Sequence, residues 1–297
     1  MLKTSGINLL AKAAKPAFLG LVALLIASCA PKAEDKVDVY VSIPPLLPFA
    51  QRLAGPDVKC ESFMPSGANP HSYEPSPKKG SGYYGSKLFI MTGLPFEQEL
   101  VKKTNGKGPK VLDLFHAVYK EEEHDEDHDH DHEEHHGHHH DPHIWLSPKL
   151  MLQMVALMAE KLEELYPEKK EEIEKRKEEI EKELAAFDQE LKETFENGPK
   201  TFLTFHPAYS CFAYDYGLTE IAVEKEGSEP TPKSLSESLR KAGEEKLNCL
   251  IIQPGLNERL ATHIAKSAGL KVIKRDALST NYYEELRALA RNIRGEE

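Results

Sequence analysis

The apolar positions change period along the chain, and the changes mark its elements. Val37, Val39 and Val41 alternate with other residues, the two-residue period of a strand over 37–42, until Pro44-Pro45 stops it. Residues 46–54 predict a short helix ended by Gly55-Pro56, and 58–63 a second strand. The stretch 65–82 is rich in Pro, Gly, Ser and Asn and predicts a loop with room for a helical turn. A buried strand follows at 88–91, a helix at 96–102 and a strand at 110–114, after which the sequence runs into acids and histidines. From 148 to 166, Leu150, Met154, Leu157, Met158, Leu162 and Leu165 fall at helical spacing. From 168 to 196 nearly every residue favours a helix, and Ile173, Ile180, Leu184, Phe187, Leu191 and Phe195 make one narrow apolar stripe. Roughly thirty residues at 1.5 Å each give a helix of about 45 Å. A coiled-coil partner and a helix lying across two lobes of one chain explain that stripe equally well. Asn197-Gly198-Pro199 ends it.

The second half repeats the alternation. Strands are predicted at 201–205, 220–224, 249–253 and 271–274, and helices at 208–217, 233–246, 256–269 and 282–293. Strands alternating with helices imply parallel sheets covered on both faces. The expected fold class is therefore α/β: two lobes, residues 37–166 and 197–297, joined by one long rigid helix at 167–196, with any ligand site in the cleft between them.

Charge alters this picture at one place. The chain carries a net charge of -11, and eleven acidic residues fall between Glu121 and Asp141, where no Lys or Arg occurs. The rest of the chain is thus close to neutral. With no basic patch or stripe, nucleic acid is not an expected partner. The same stretch holds nine of the fourteen histidines: His124, His128, His130, His132, His135, His136, His138, His139 and His140. Imidazoles interleaved with carboxylates suit borderline divalent metals such as zinc, copper and nickel. Residues 121–140 therefore read as a disordered, auxiliary, low-affinity metal binder, or else as a solvated insert without a role.

The N-terminus reads as a targeting segment. Lys3, Lys12 and Lys15 precede an apolar run from Phe18 to Ala27 that is short for a membrane span. Ile26-Ala27-Ser28-Cys29 resembles a bacterial lipobox, which implies cleavage after residue 28 and lipid attachment to Cys29, followed by a tether over 29–36. An ordinary signal peptide that happens to carry a cysteine is the alternative. Cys60, Cys211 and Cys249 show no C-x-x-C spacing; two of them paired, or all three buried as small apolar residues, both fit.

In parallel α/β sheets, ligands sit beyond the carboxyl ends of the strands. His71 falls in the loop after the strand at 58–63, His206 directly follows 201–205, and Asp276 follows 271–274. His143 lies just past the insert, behind the stiff Pro142. Three imidazoles and one carboxylate suit tetrahedral zinc, with water as the substitute for Asp276. A lone histidine is usually a surface or satisfied polar residue. That reading is kept for His116 and His263, the latter in mid-helix, and gives way for the other three because all lie at strand exits or rigid turns.

These stretches resemble a known family. Gly67-Ala68-Asn69-Pro70-His71-Ser72-Tyr73-Glu74-Pro75, Asp141-Pro142-His143-Ile144-Trp145-Leu146-Ser147-Pro148 and Phe205-His206-Pro207-Ala208-Tyr209 are similar to the metal motifs of the ZnuA-like zinc/manganese-binding lipoproteins of bacterial ABC importers, the cluster A-I metal-binding family. Asp276 stands where the family's C-terminal aspartate is expected, and a His-rich loop before the second motif is typical of its zinc members. The resemblance implies two (β/α) lobes bridged by a long helix. It also implies an exported, monomeric lipoprotein facing the periplasm or cell exterior, which hands one metal ion to a membrane permease with a cytosolic ATPase. Pro207, Cys211 and Gln253 depart from the residues common in the family. His206, where manganese-selective relatives tend to carry a carboxylate, favours zinc. Binding by neutral imidazoles should weaken below about pH 6. A manganese-binding relative, a metal-buffering or adhesin lipoprotein, and least of all a zinc hydrolase are the other readings. Against the hydrolase, the one H-E-x-x-H match, His132 to His136, falls inside the low-complexity run of acids and histidines, and Glu74 is the sole carboxylate worth suspecting as a base, so no enzyme activity is expected.

Overall fold

Short apolar, β-branched runs become strands here because both faces of each sheet are covered by helices. The computed structural model describes residues 36–125, 141–224 and 229–296. The leader, Cys29 and eight of the nine auxiliary histidines (all but His124) lie outside these residues. The first sheet contains β1 (Val39–Val41), β2 (Cys60–Ser62), β3 (Leu88–Met91) and β4 (Lys110–Asp113), in the order β2-β1-β3-β4. The second contains β5 (Thr201–Thr204), β6 (Thr219–Ala222), β7 (Cys249–Ile252) and β8 (Lys271–Lys274), in the order β6-β5-β7-β8. Every pairing is parallel. The two sheets repeat one topology, and in each the order switches beside the first strand, which is where such folds open a crevice for a ligand.

The helices are α1 (Leu47–Ala54), α2 (Pro77–Gly85), α3 (Pro95–Thr104), α4 (Leu114–Asp125), α5 (Pro148–Leu165), α6 (Lys170–Glu196), α7 (Ser210–Asp215), α8 (Pro232–Glu244), α9 (Glu258–Ser267) and α10 (Tyr282–Ile293). Two of them depart from expectation. The loop expected over 65–82 gives way to α2, where the Ser76 side chain accepts from Lys79 N–H as an N-cap and Pro77 holds the first helical position. The chain also does not pass directly from β4 into the insert. The Asp113 carboxylate accepts the His116 N–H at the start of α4, and Leu114 and Val118, four apart, are both buried. The acidic run that follows hid this helix from a periodicity argument.

The stripe on α6 is buried along its whole length: Ile173, Ile180, Leu184, Phe187, Leu191 and Phe195 are each at most 2% exposed. At 1.5 Å per residue the helix is about 40 Å long. Its partners lie within the chain, which removes the need for a coiled-coil partner. From the first lobe, Arg52 on α1 donates two hydrogen bonds to Glu183, at 2.6 and 2.8 Å. From the second lobe, Arg287 on α10 donates two to Glu190, at 2.6 and 2.7 Å, and Phe187 meets Tyr282 and Tyr283 edge-on. Exposed ion pairs of this kind contribute up to about 1 kcal/mol each, so the buried stripe does most of the fastening. One continuous core runs from the first sheet through α5 and α6 to α10, while a smaller core fills the outer face of the second sheet. Alternation along β7 divides them: Ile251 faces the large core, Leu250 and Ile252 the small one.

Among the described residues Cys60, Cys211 and Cys249 form no disulfide. Burial pushes the thiols of Cys60 and Cys211 up to about 12, so both behave as apolar filling. No described helix is long and apolar enough to cross a membrane.

Candidate metal centre

Two of the three histidine loops use the same local device. In Asn69-Pro70-His71 the Asn69 side chain accepts the His71 N–H at 2.9 Å, and in Asp141-Pro142-His143 Asp141 Oδ1 accepts the His143 N–H at 2.9 Å. An Asx side chain bonded two residues on, with proline fixing φ between, makes a stiff turn that aims the third side chain. His206 is aimed differently, by the sheet. It follows β5 by two residues, Phe205 N–H donates to the Ile251 carbonyl, and Phe205 is buried.

The three rings converge. Ring centroids lie 4.8 Å apart for His71 and His206, 5.3 Å for His143 and His206, and 5.6 Å for His71 and His143. One nitrogen from each falls within 4.8 Å of the others, and His71 Nε2 lies 3.0 Å from His206 Nε2. Nitrogens on one tetrahedral zinc, each about 2.0–2.1 Å from the ion, stand roughly 3.3 Å apart. That pair is already near ligand spacing, and the third ring needs only a small approach.

The surroundings of the rings differ. His143 and His206 are each 4% exposed, whereas His71 is exposed. His143 Nδ1 lies 2.6 Å from Asp141 Oδ1, and His206 Nδ1 lies 3.0 Å from Glu224 Oε2. Burial works against a charged Asp141, but the hydrogen bonds from His143 and Ser210 outweigh it and hold the carboxyl below its usual range. His71 is pushed the other way: desolvation, then the neighbouring His206 and His143, lower it to about 4. It is thus a neutral nitrogen donor at physiological pH.

Sequence reasoning expected Asp276 to complete this set. The structure brings His71, His143 and His206 together and leaves Asp276 outside the group. Asp276 Oδ1 accepts the Leu278 N–H at 3.0 Å, so the carboxylate is turning the chain after β8. His116 pairs with Asp113 on the exposed start of α4, and His263 lies on α9, both apart from the cluster. The residues that back the imidazoles, Asp141 and Glu224, were not singled out. Asp141 was legible as the Asx partner of a second Asx-Pro-His turn; Glu224 depends on strand register, which no local pattern shows.

The segment around His143 is tied to the second lobe. Ser210 Oγ donates to Asp141, Trp145 Nε1–H donates to the Ala277 carbonyl at 2.8 Å, and Ser147 Oγ donates to Asp215. His71 approaches from the first lobe on its own loop. That loop meets the second lobe at a tight point: a Cβ on Gly255, whose φ is +79°, would lie 3.0 Å from the Gly67 carbonyl oxygen. Gly255→Ala both strains a left-handed position and pushes that loop away, a cost of about 1–2 kcal/mol. Calorimetry should show the melting temperature lower by roughly 3–6 °C. An unchanged melting temperature would mean the two loops do not press on each other.

The family model described as zinc-uptake complex component A, periplasmic, matches residues 39–295. The zinc-binding lipoprotein AdcA of Streptococcus pneumoniae is 29% identical over 284 residues, covering 90% of this chain and 56% of the relative. The high-affinity zinc uptake system protein ZnuA of Bacillus subtilis is 28% identical over 268 residues, covering 84% of this chain and 83% of the relative. Among solved structures, a zinc-bound ZnuA deletion mutant superimposes with a TM-score of 0.75 at 29% identity, covering 89% of this chain and 99% of that one. The chain therefore spans little more than half the length of the first relative and most of the second.

Proposed function

The chain belongs to the zinc-uptake complex component A family, and from that premise we propose that it is the high-affinity zinc-binding component of an ABC importer. It captures Zn2+ outside the cytoplasmic membrane and delivers it to a permease served by a cytosolic ATPase. The observation that carries this reading is the convergence of three imidazole nitrogens, one from the first lobe's loop and two from segments fastened to the second. An all-nitrogen set of neutral donors favours zinc over manganese by ligand softness and the Irving–Williams order. His71, His143 and His206 are the ligands in this reading. With Asp276 engaged in its own turn, the fourth place falls to a water on the exposed side of His71. The family's role is that of a substrate-binding transport component, and the two carboxylates nearest the cluster support that role rather than hydrolysis. Both Asp141 and Glu224 face the Nδ1 side of a ring, away from the point where the nitrogens meet.

Release follows from the same attachments. In this reading Trp145 and Ser210 hold the His143 loop to the second lobe, while α5, which continues that loop, packs on α1 and α4 of the first. A parting of the lobes that draws His71 away leaves a two-imidazole site, which holds zinc far less tightly. Docking on the permease would supply that parting. The lipid anchor on Cys29, the monomeric state and the auxiliary role of the histidine-rich stretch belong to the same proposal.

A zinc titration against a competing chelator between pH 7.5 and pH 4 tests it. Imidazole must be neutral to bind metal, so acid competes with the ion. Because His71 is held near 4, its share of that competition arrives only at the acid end, later than the sequence alone suggests. One tight site per chain is expected at pH 7.5, with affinity falling by about tenfold or more by pH 4 and most steeply near that limit. A pH-independent affinity would rule out an imidazole-dominated site.

A further inference from the structure

Glu224 is not a ligand in the reading above, yet it is a carboxylate only 4% exposed, placed against one of the three rings. Its position follows from strand register. β5 and β6 pair in parallel with Thr204 opposite Ala222, and the pairing continues past both strands: Val223 N–H donates to the Thr204 carbonyl and Glu224 N–H to the Phe205 carbonyl. Two residues beyond Thr204 is His206, and two beyond Ala222 is Glu224. In a parallel sheet such neighbours share a face, so the carboxylate and the imidazole meet at 3.0 Å, Oε2 to Nδ1. The other oxygen, Oε1, accepts from Asn257 Nδ2 at 3.1 Å. Asn257 sits at φ +41°, a left-handed position that Asn tolerates better than most residues, just before α9. A second glutamate of the same segment, Glu220, secures the backbone after His206 by accepting from the N–H groups of Ala208 and Tyr209.

We propose that Glu224, itself held by Asn257, is the positioning residue of His206: it fixes the Nδ1–H tautomer, so that Nε2 faces the cluster as a bare lone pair. Glu224 already accepts at Oε1 from the Asn257 amide, and with Oε2 accepting as well the proton of this contact belongs to Nδ1 of the ring. The partner of a ligating imidazole sets its tautomer and orientation and raises its basicity. The consequence reaches His71. With His206 Nε2 bare, the 3.0 Å contact between the two Nε2 atoms is a hydrogen bond that His71 donates. A metal arriving there finds His206 ready, while His71 must first give up its Nε2 proton. His71 is then the adaptable ligand and His206 the fixed one. This inference rests on the zinc-binding reading for its affinity effects, but not for the tautomer itself.

Nitrogen-15 spectra of histidine rings in the metal-free wild-type protein at pH 7.5 test the tautomer directly. The expected result is Nδ1–H for His206; Nε2–H for that ring would overturn the proposal, with no variant needed. Zinc competition tests the consequence. Glu224→Leu is expected to weaken zinc binding about 10–100-fold, Glu224→Gln less because its amide oxygen still accepts from Nδ1–H, and Asn257→Gly least because it keeps the backbone position. In Glu224→Leu the His206 ring should also lose its single tautomer. Wild-type affinity in Glu224→Leu, measured on protein with unaltered circular dichroism, would likewise overturn it. If the wild-type protein itself fails to bind zinc tightly, the zinc-binding reading falls, while the nitrogen spectra still decide what Glu224 does to His206.

Discussion

Replacing His71, His143 and His206 together by alanine is expected to lower zinc affinity by at least about a thousandfold, because three-imidazole sites draw most of their binding free energy from those bonds. Deleting 121–140 is expected to leave one tight site intact and to remove only weak binding. The two results together separate a built site from a histidine-rich buffer. His143 and His206 are buried, and their loss removes one hydrogen-bond partner each from the buried Asp141 and Glu224, so the triple variant is destabilised as well. His71→Ala avoids that difficulty, since His71 is exposed and has no carboxylate partner among the described contacts. It should weaken binding strongly while leaving apo melting nearly unchanged. Retention of the tight site in the triple variant would show that the cleft is not where the metal sits.

Trp145→Ala is expected to be the most damaging single change to the scaffold. Trp145 is the protein's one tryptophan, fully buried, two residues after His143, with its ring centroid 5.1 Å from the His143 ring. Its Nε1–H reaches the Ala277 carbonyl, so one side chain fills the core and ties the second motif to the other lobe. Removing a buried tryptophan costs about 3–5 kcal/mol, and the orphaned carbonyl adds about 1 kcal/mol or more. That is a large part of the roughly 5–15 kcal/mol by which domains are stable. Trp145→Phe keeps most of the apolar contact and should lose about 1–2 kcal/mol, chiefly the hydrogen bond. Urea unfolding followed by circular dichroism checks both, since neither variant has tryptophan fluorescence. A loss below about 1 kcal/mol in Trp145→Ala would mean that the bridge to Ala277 contributes little.

Both predictions turn on how the three motifs are held, and the motifs differ in how openly the sequence displays this. Asn69-Pro70-His71 and Asp141-Pro142-His143 are local: the Asx side chain, the proline and the aimed histidine are consecutive, so chemistry and geometry can be read together. His206 gives only its place after a strand. Its partner Glu224 is eighteen residues away, and a one-residue slip in the pairing would put that carboxylate on the opposite face.

The sequence by itself determined the alternation of strands and helices, the long helix with its single stripe, and the three histidines of the cluster. Each is written in a short repeat or a contiguous motif, and short-range periodicity is what a sequence displays. Only the tertiary structure decided that the stripe on α6 closes on α5, α1 and α10 of its own chain, because a stripe specifies burial but not a partner. Only the tertiary structure fastened the His143 loop to the second lobe through Ala277 and Ser210. Asp276 shows the limit from the other side. Its position after β8 suggested a ligand; in the structure it lies outside the three-histidine group, and its Oδ1 accepts the Leu278 N–H of its own turn. Being placed at a strand's end brings a side chain near a cleft; which atoms it meets there is settled by the packing of the two lobes.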